Sequence, residues 1–421
     1  MADLSRRAGC RLCESTDLEL AVAMPPTAIA DAYVGPGQVG ESQARYPLDL
    51  YFCRDCTHVQ LLDVVDPRLM FKSDYTYATG SSAGIVRHFG EHARTLLERE
   101  QPEPGALVVD VGSNDGTFLR FFKDAGMTVL GVDPATELAR RAEESGVETL
   151  TEFLSAGVAR RILASHGPAR IVTANNVFAH ADDLAGMAES IRLLLRPDGV
   201  FAFEVSYLLD IVDRMLLGTI FHEHLSYHTV KPLRRFLARH DLELFDVTRN
   251  TIQGGSLIGL AQRVGGPRPV SDRVTELVRL EEDRRLHDPE TLRQFDRRID
   301  RMKDEVKGLF ADIQRKGGTA AGFGAARGGT TLLYRLDIGD ALRFIVDDSP
   351  AKQGLFTPGH HIPVLPTAAL YERRPDYVFI LAWVHAKAIQ QNHRRYVEEG
   401  GRFVLAHPDV RVVAAADLPP S

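Results

Sequence analysis

The chain has little cysteine, no long apolar run and no basic cluster. No stretch is apolar over the length a bilayer requires, which argues against a membrane-spanning helix. Met1-Ala-Asp-Leu-Ser-Arg-Arg7 has no apolar signal-peptide core behind it. These absences predict a cytoplasmic protein with no membrane partner. The formal net charge is -7, and without a basic patch nucleic acid is not the expected partner. Only four cysteines are present, and all fall in two pairs, Cys10-x-x-Cys13 and Cys53-x-x-Cys56. That is the pattern of a tetrahedral Zn(Cys)4 site. A reducing cytosol argues against disulfides, and the long loop between the pairs costs little closure entropy. Four thiolates leave no open position, so the zinc is expected to be structural. Redox dithiols and unligated thiols are the alternative readings.

What is present is an ordinary globular composition, 44% hydrophobic and 25% charged, over 421 residues. That length suggests about three domains. Residues 1–70 read as the zinc-binding module, with short strands near 48–52 and 58–62. A loop, Tyr75-Thr-Tyr-Ala-Thr-Gly-Ser-Ser82, either closes on a ligand or merely links; a helix follows near 83–99. From Gly105, strands at 106–112, 128–133, 147–153, 170–176 and 200–205 alternate with helical patterns, which predicts a parallel doubly wound sheet. Strands at 242–248 and 256–263 would close it antiparallel, completing a seven-stranded unit over 71–270. Residues 271–316 read as a helical connector. In it Leu292, Phe295, Ile299, Met302, Val306, Leu309 and Ile313 form a narrow apolar stripe, for packing on a neighbouring domain or for a dimer coiled coil. A smaller α/β unit occupies 317–421.

The most informative segment is Asp110-Val-Gly-Ser-Asn-Asp-Gly116, between a strand and a helix start. Gly112 and Gly116 leave no side chain between backbone and ligand. About twenty residues on, Asp133 ends the next strand, placed to accept both ribose hydroxyls of a nucleoside. The spacing is not G-x-G-x-x-G, and Asp110 and Asp115 would repel a phosphate. A cationic ligand without phosphate, S-adenosylmethionine (SAM), suits the turn. The pattern resembles the first motif of doubly wound SAM-dependent methyltransferases. Asn114, Asp115, Pro134, Asn175 and Asn176 join Gly112, Gly116 and Asp133 as candidate cofactor-binding residues.

A second Gly-rich turn, Gly322-Phe-Gly324 followed by Arg327 and Gly328, precedes a strand ending in Asp347 and Asp348. Its amides and guanidinium suit a phosphate; a ligand-free structural turn is the alternative. Titratable groups concentrate in Phe221-His-Glu-His-Leu-Ser-Tyr-His228 and at His180. Methyl transfer to carbon needs a base, and histidine suits neutral pH. His224 is the expected base, oriented by Glu223. Metal binding or plain packing of these histidines are the other readings.

Taken together, these motifs resemble the SAM-dependent sugar C-methyltransferases that act on nucleotide-linked deoxyhexoses in antibiotic biosynthesis. The resemblance runs over nearly the whole chain. It includes both CxxC pairs, Tyr75-x-Tyr77…Ser81-Ser82, the Asp110–Gly116 turn and Asn175-Asn-Val-Phe-Ala-His180. It continues through Glu223-His-Leu-Ser-Tyr-His228, Gln253-Gly-Gly-Ser256, the 322–328 turn and Val346-Asp-Asp-Ser-Pro350…Lys352-Gln-Gly354. It implies an N-terminal zinc module, a central class I methyltransferase sheet and a C-terminal Rossmann-like domain that helps hold the sugar nucleotide. It also implies methylation at C3 of a dTDP-4-keto-deoxysugar through an enediolate. The family's active-site positions fall on Tyr75, His180, Glu223 and His224, with Tyr77, Ser81, Tyr227, Gly324, Arg327 and Asp347 expected at the sugar nucleotide. Relatives often have Tyr where this chain has Phe221, so a phenol is missing there. The expected partner is a small dTDP-linked sugar, and the assembly a monomer or homodimer. Competing readings are methylation of another ketone or a hydroxyl, an NAD-dependent oxidoreductase or epimerase, and a non-catalytic nucleotide-sugar binder.

Overall fold

The structure, a computed structural model, describes residues 3–70 and 78–417. Leu107–Val111, Ala169–Asn175 and Leu195–Ser206 are rich in apolar residues and almost wholly buried, as strands covered on both faces must be. They form the middle of a seven-stranded sheet. Thr128–Val132 and the two-residue strand Thr149–Leu150 extend it on one side, all parallel. On the other side Ser256–Arg263 pairs antiparallel with Leu195–Ser206, and Leu242–Asn250 pairs antiparallel with Ser256–Arg263. Only Ser256–Arg263 therefore runs against the sheet, not both closing strands as expected. A hairpin through Gln253-Gly-Gly255 inserts the last strand in front of its predecessor, and all three of these residues have positive φ.

The zinc module carries an antiparallel sheet of Leu18–Val22, Leu50–Cys53 and Val59–Leu61. Its fourth strand, Ser226–Tyr227, comes from the central unit. The histidine-rich segment thus grows directly out of the zinc module's sheet. The C-terminal sheet has six strands, parallel except for Arg411–Val413.

Pro289–Arg315 is one helix of 27 residues. Its buried stripe includes Phe310, while Leu309 is only partly covered. Four residues on from Val306, position 310 faces inward, as the 3.6-residue period requires. The helix packs within the chain: Arg335 donates to Asp296 at 2.8 Å, and Arg293 pairs with Glu19. A stripe already buried in this way is not open to a coiled-coil partner.

The helix Arg327–Arg335 begins against the turn Leu217–Thr219. A Cβ on Gly328 would lie 2.3 Å from the Gly218 carbonyl oxygen, and one on Gly218 would lie 2.3 Å from the Trp383 indole nitrogen. Only glycine permits this approach. It brings the second Gly-rich turn beside the histidine-rich segment. Among the described residues, no helix is long and apolar enough to cross a membrane.

Candidate active site

The four cysteine sulfurs lie within 4.8 Å of one another. Cys10 and Cys56 are 3.5 Å apart, as are Cys13 and Cys53. A tetrahedral Zn–S bond of about 2.3 Å needs a sulfur separation of about 3.8 Å. Both knuckles fold alike. Glu14 donates its N–H to the Cys10 carbonyl and Thr57 to the Cys53 carbonyl, each at 2.8 Å. Glu14 and Thr57 take φ of 64° and 67° to do so. The buried Arg11, between the first two ligands, donates to the Leu225 carbonyl at 3.3 Å and to Asp182 at 3.1 Å. The knuckle therefore buttresses both histidine-bearing segments. Purified protein should contain about one zinc per chain. Cys53→Ser should lower the melting temperature and take activity down with it; zinc-free protein that is folded and fully active would refute this.

At the first turn, Gly112 has φ +72°, and a Cβ there would meet Val177 at 2.3 Å. Asp133 is buried, and its two oxygens accept the amides of Asn114 and Ala135, both at 2.8 Å. This acid locks the turn to the tip of the neighbouring strand. Burial raises its pKa and these amides oppose the rise. Beneath it, burial pushes Asp110 up to about 7, against the opposing hydrogen bond from the Thr173 hydroxyl. The side chains of Asn114 and Asp115 accept the amides of Thr79 and Gly80, both at 2.9 Å, and so hold the 78–81 segment over the turn. Ser81 is exposed, and its hydroxyl donates to the Ala78 carbonyl at 2.6 Å. The side-chain oxygen and nitrogen of Asn175 are buried and have no hydrogen-bond partner among the described residues. A buried amide in that condition fits a ligand that bonds to it. These features fit SAM, which is a nucleoside with polar groups and no phosphate.

Sequence reasoning missed Glu204, at the carboxyl end of the fifth strand. Burial alone would raise its pKa, but His88 at 2.7 Å, the Ser256 hydroxyl and Asn250 at 2.9 Å hold it below the ordinary value. The Asn176 amide donates to its carbonyl at 2.8 Å. The network ties the helix Ala83–Glu100 to the edge of the cofactor cleft. Of this set only Ser256 and Asn176 lay in recognised motifs.

His224 Nδ1 lies 2.7 Å from the Thr219 carbonyl, which only accepts, so Nδ1 carries the proton and Nε2 the lone pair. Its ring stacks at 5.0 Å from His180 and lies 4.0 Å from Phe221. Burial pushes the His224 imidazole down to about 4, and the Arg327 charge adds to that fall. His180 is also driven well below its usual value, by burial first, then by His224 and Arg327. Both imidazoles are therefore held neutral. Glu223 is not the orienter of His224. That bond comes from Thr219, while Glu223 accepts from Arg327 Nη1 at 2.6 Å. Adjacent residues on an irregular segment point apart, so the neighbouring carboxylate serves a different partner.

Arg327 Nε donates to Asp31 of the zinc module at 2.6 Å. The second Gly-rich turn does not offer its first amides to a phosphate. Gly324 N–H donates to the Val346 carbonyl at 2.8 Å and Ala325 N–H to Asp347 at 2.6 Å. Asp347 does here what Asp133 does in the first turn. Lys352 Nζ and the Tyr33 hydroxyl both donate to the Ala325 carbonyl, at 2.6 and 2.7 Å. Tyr227 is 1% exposed and belongs to the main hydrophobic core. Tyr75 and Tyr77 lie outside the described residues.

A doubly wound sheet with a Gly turn capped by the acid of its neighbouring strand, joined to a Zn(Cys)4 module, defines a SAM-dependent methyltransferase with an appended zinc site. Three family models match this chain: a zinc binding domain at residues 10–71, a methyltransferase domain at 86–247 and a C-methyltransferase C-terminal domain at 251–408. The chain is 33% identical over 407 residues to the C-methyltransferase NovU of Streptomyces niveus, covering 96% of this chain and 97% of that one. It belongs to this family of C-methyltransferases, and is a SAM-dependent C-methyltransferase. It is also 36% identical over 123 residues to nocamycin O-methyltransferase of Saccharothrix syringae, covering 27% of this chain and 42% of that protein. Magnesium protoporphyrin IX methyltransferase from Synechocystis is 18% identical, with a TM-score of 0.34 over 43% of this chain and 84% of that one. The C-terminal family model begins at 251 and so takes in the Gln253-Gly-Gly255 hairpin and the long helix, which sequence reading placed outside the third domain.

Proposed function

We propose that the enzyme methylates C3 of a dTDP-linked 4-keto-deoxyhexose. The observation that carries this reading is His224: neutral, tautomer-fixed by Thr219 and stacked on His180 where the histidine-rich segment leaves the zinc module. SAM supplies the electrophilic methyl group. Its adenosine would lie over Gly112–Gly116 with the ribose on Asp133 and Pro134 beside it. Asn114, Asp115 and the two asparagines 175 and 176 would complete the pocket. His224 Nε2 would take the C3 proton, which the 4-keto group acidifies. The released electron pair would enter the carbonyl as an enediolate, and C3 would then take the methyl group as its bond to sulfur breaks, leaving S-adenosylhomocysteine. A negative charge developing beside the imidazole would oppose the fall in basicity that burial and Arg327 impose. Glu223, Arg327 and the 324–328 turn with Asp347 lie on the acceptor side, and Lys352 adds a cation for the diphosphate.

Isothermal titration tests this reading. SAM, S-adenosylhomocysteine and dTDP should each bind, and NAD should not. Binding of NAD without SAM would replace the reading with an oxidoreductase one, and failure of dTDP to bind would remove the sugar nucleotide.

A further inference from the structure

One guanidinium joins all three parts of the chain. Arg327, at the start of a helix in the C-terminal unit, is gripped by Asp31 through Nε and by Glu223 through Nη1, both at 2.6 Å. Glu223 is 3% exposed; the side chains of Arg327 and Asp31 are 16% and 13% exposed. Asp31 takes a left-handed conformation, φ 62°, two residues before Tyr33, whose hydroxyl holds the same turn that carries Arg327. Lys352 lies 3.5 Å from Asp31 and 5.3 Å from the Tyr33 ring centre. The zinc module thus contributes a charge to the face on which His224 and His180 lie.

We propose that Asp31 is a positioning residue for methyl transfer: it holds Arg327, and through it Glu223, at the acceptor face, which makes the zinc module a working part of the active site. A second carboxylate on a planar fork narrows its orientation further than one does alone. Asp31 also balances charge. The titratable and charged groups facing His224 are His180, from the loop after the fourth strand, and Arg327, whose carboxylate partners are Asp31 and Glu223; Lys352 lies against Asp31. Removing the Asp31 charge leaves Arg327 less compensated, and a less compensated cation disfavours the imidazolium.

The proposal rests on the acceptor reading above, and the test separates the two. Wild-type enzyme is assayed with SAM and a dTDP-4-keto-deoxyhexose; absence of turnover would refute that reading, whereas normal wild-type turnover with an indifferent Asp31 variant would refute the present one. Asp31→Asn should raise the acceptor KM by roughly tenfold, with zinc content and SAM Kd unchanged. It should also move the acid limb of kcat/KM toward lower pH, a shift that a merely structural role would not produce. In the double variant with Arg327→Gln, adding Asp31→Asn should cost nothing further, because Asp31 acts through Arg327. Additive losses, or an equal rise in SAM Kd, would overturn the proposal. If Asp31→Asn does not fold, Asp31→Glu keeps the charge on a longer arm. It should raise the acceptor KM severalfold and leave the acid limb in place, and a wild-type KM would overturn the proposal.

Discussion

His224→Asn should lower kcat by about 10²–10⁴-fold, the usual contribution of a general base, and leave SAM affinity intact. Asparagine can still donate to the Thr219 carbonyl, so the segment keeps its anchor, but it has no basic nitrogen where Nε2 stood. Phe221, packed at 4.0 Å, offers no phenol to replace it. If wild type exchanges the C3 hydrogen with deuterated water in the absence of methyl transfer, the variant should not. His180 lies 5.0 Å away in a stacked arrangement and is the rival base. Near-normal turnover in His224→Asn together with a dead His180→Asn would exchange the two roles.

The second large effect concerns the cofactor. Asp133→Ala should weaken SAM binding by about 2–4 kcal/mol, roughly 30- to 1,000-fold. Two losses combine. The ribose hydroxyls lose a charged acceptor, and the amides of Asn114 and Ala135 lose the group that holds the turn at 2.8 Å. Asp133→Asn keeps the shape and one acceptor oxygen, so its loss should be smaller. SAM affinity within threefold of wild type in Asp133→Ala would remove Asp133 from the cofactor site.

The contrast between what was legible in the sequence and what was not follows chain separation. Each CxxC pair encodes its own knuckle, because the turn that aims two sulfurs needs only the residues between and just after them. The turn at 110–116 and its distant acid share one strand-turn-helix-strand unit, so their spacing is fixed by local geometry. The two closing strands were visible as strands, but their direction depended on a hairpin through Gln253, Gly254 and Gly255. The entry of Ser226–Tyr227 into the zinc module's sheet left no local trace, since its partners are at 59–60. Asp31 and Arg327 stand 296 residues apart, and nothing in either neighbourhood announces the other. The Thr219 carbonyl that sets the His224 tautomer was invisible for another reason: every residue has a backbone carbonyl. The mistaken role for Glu223 came from treating sequence neighbours as spatial partners on a segment without regular structure.

On the proposed reaction, a carbon of a keto sugar nucleotide receives the methyl group. Incubating the enzyme with methyl-¹³C SAM and a dTDP-4-keto-deoxyhexose, then reading the product by carbon-13 NMR, tests it directly. The product should show a labelled methyl resonance bonded to C3, with S-adenosylhomocysteine released in equal amount. A labelled methyl on oxygen, or consumption of acceptor without any methyl incorporation, would contradict it.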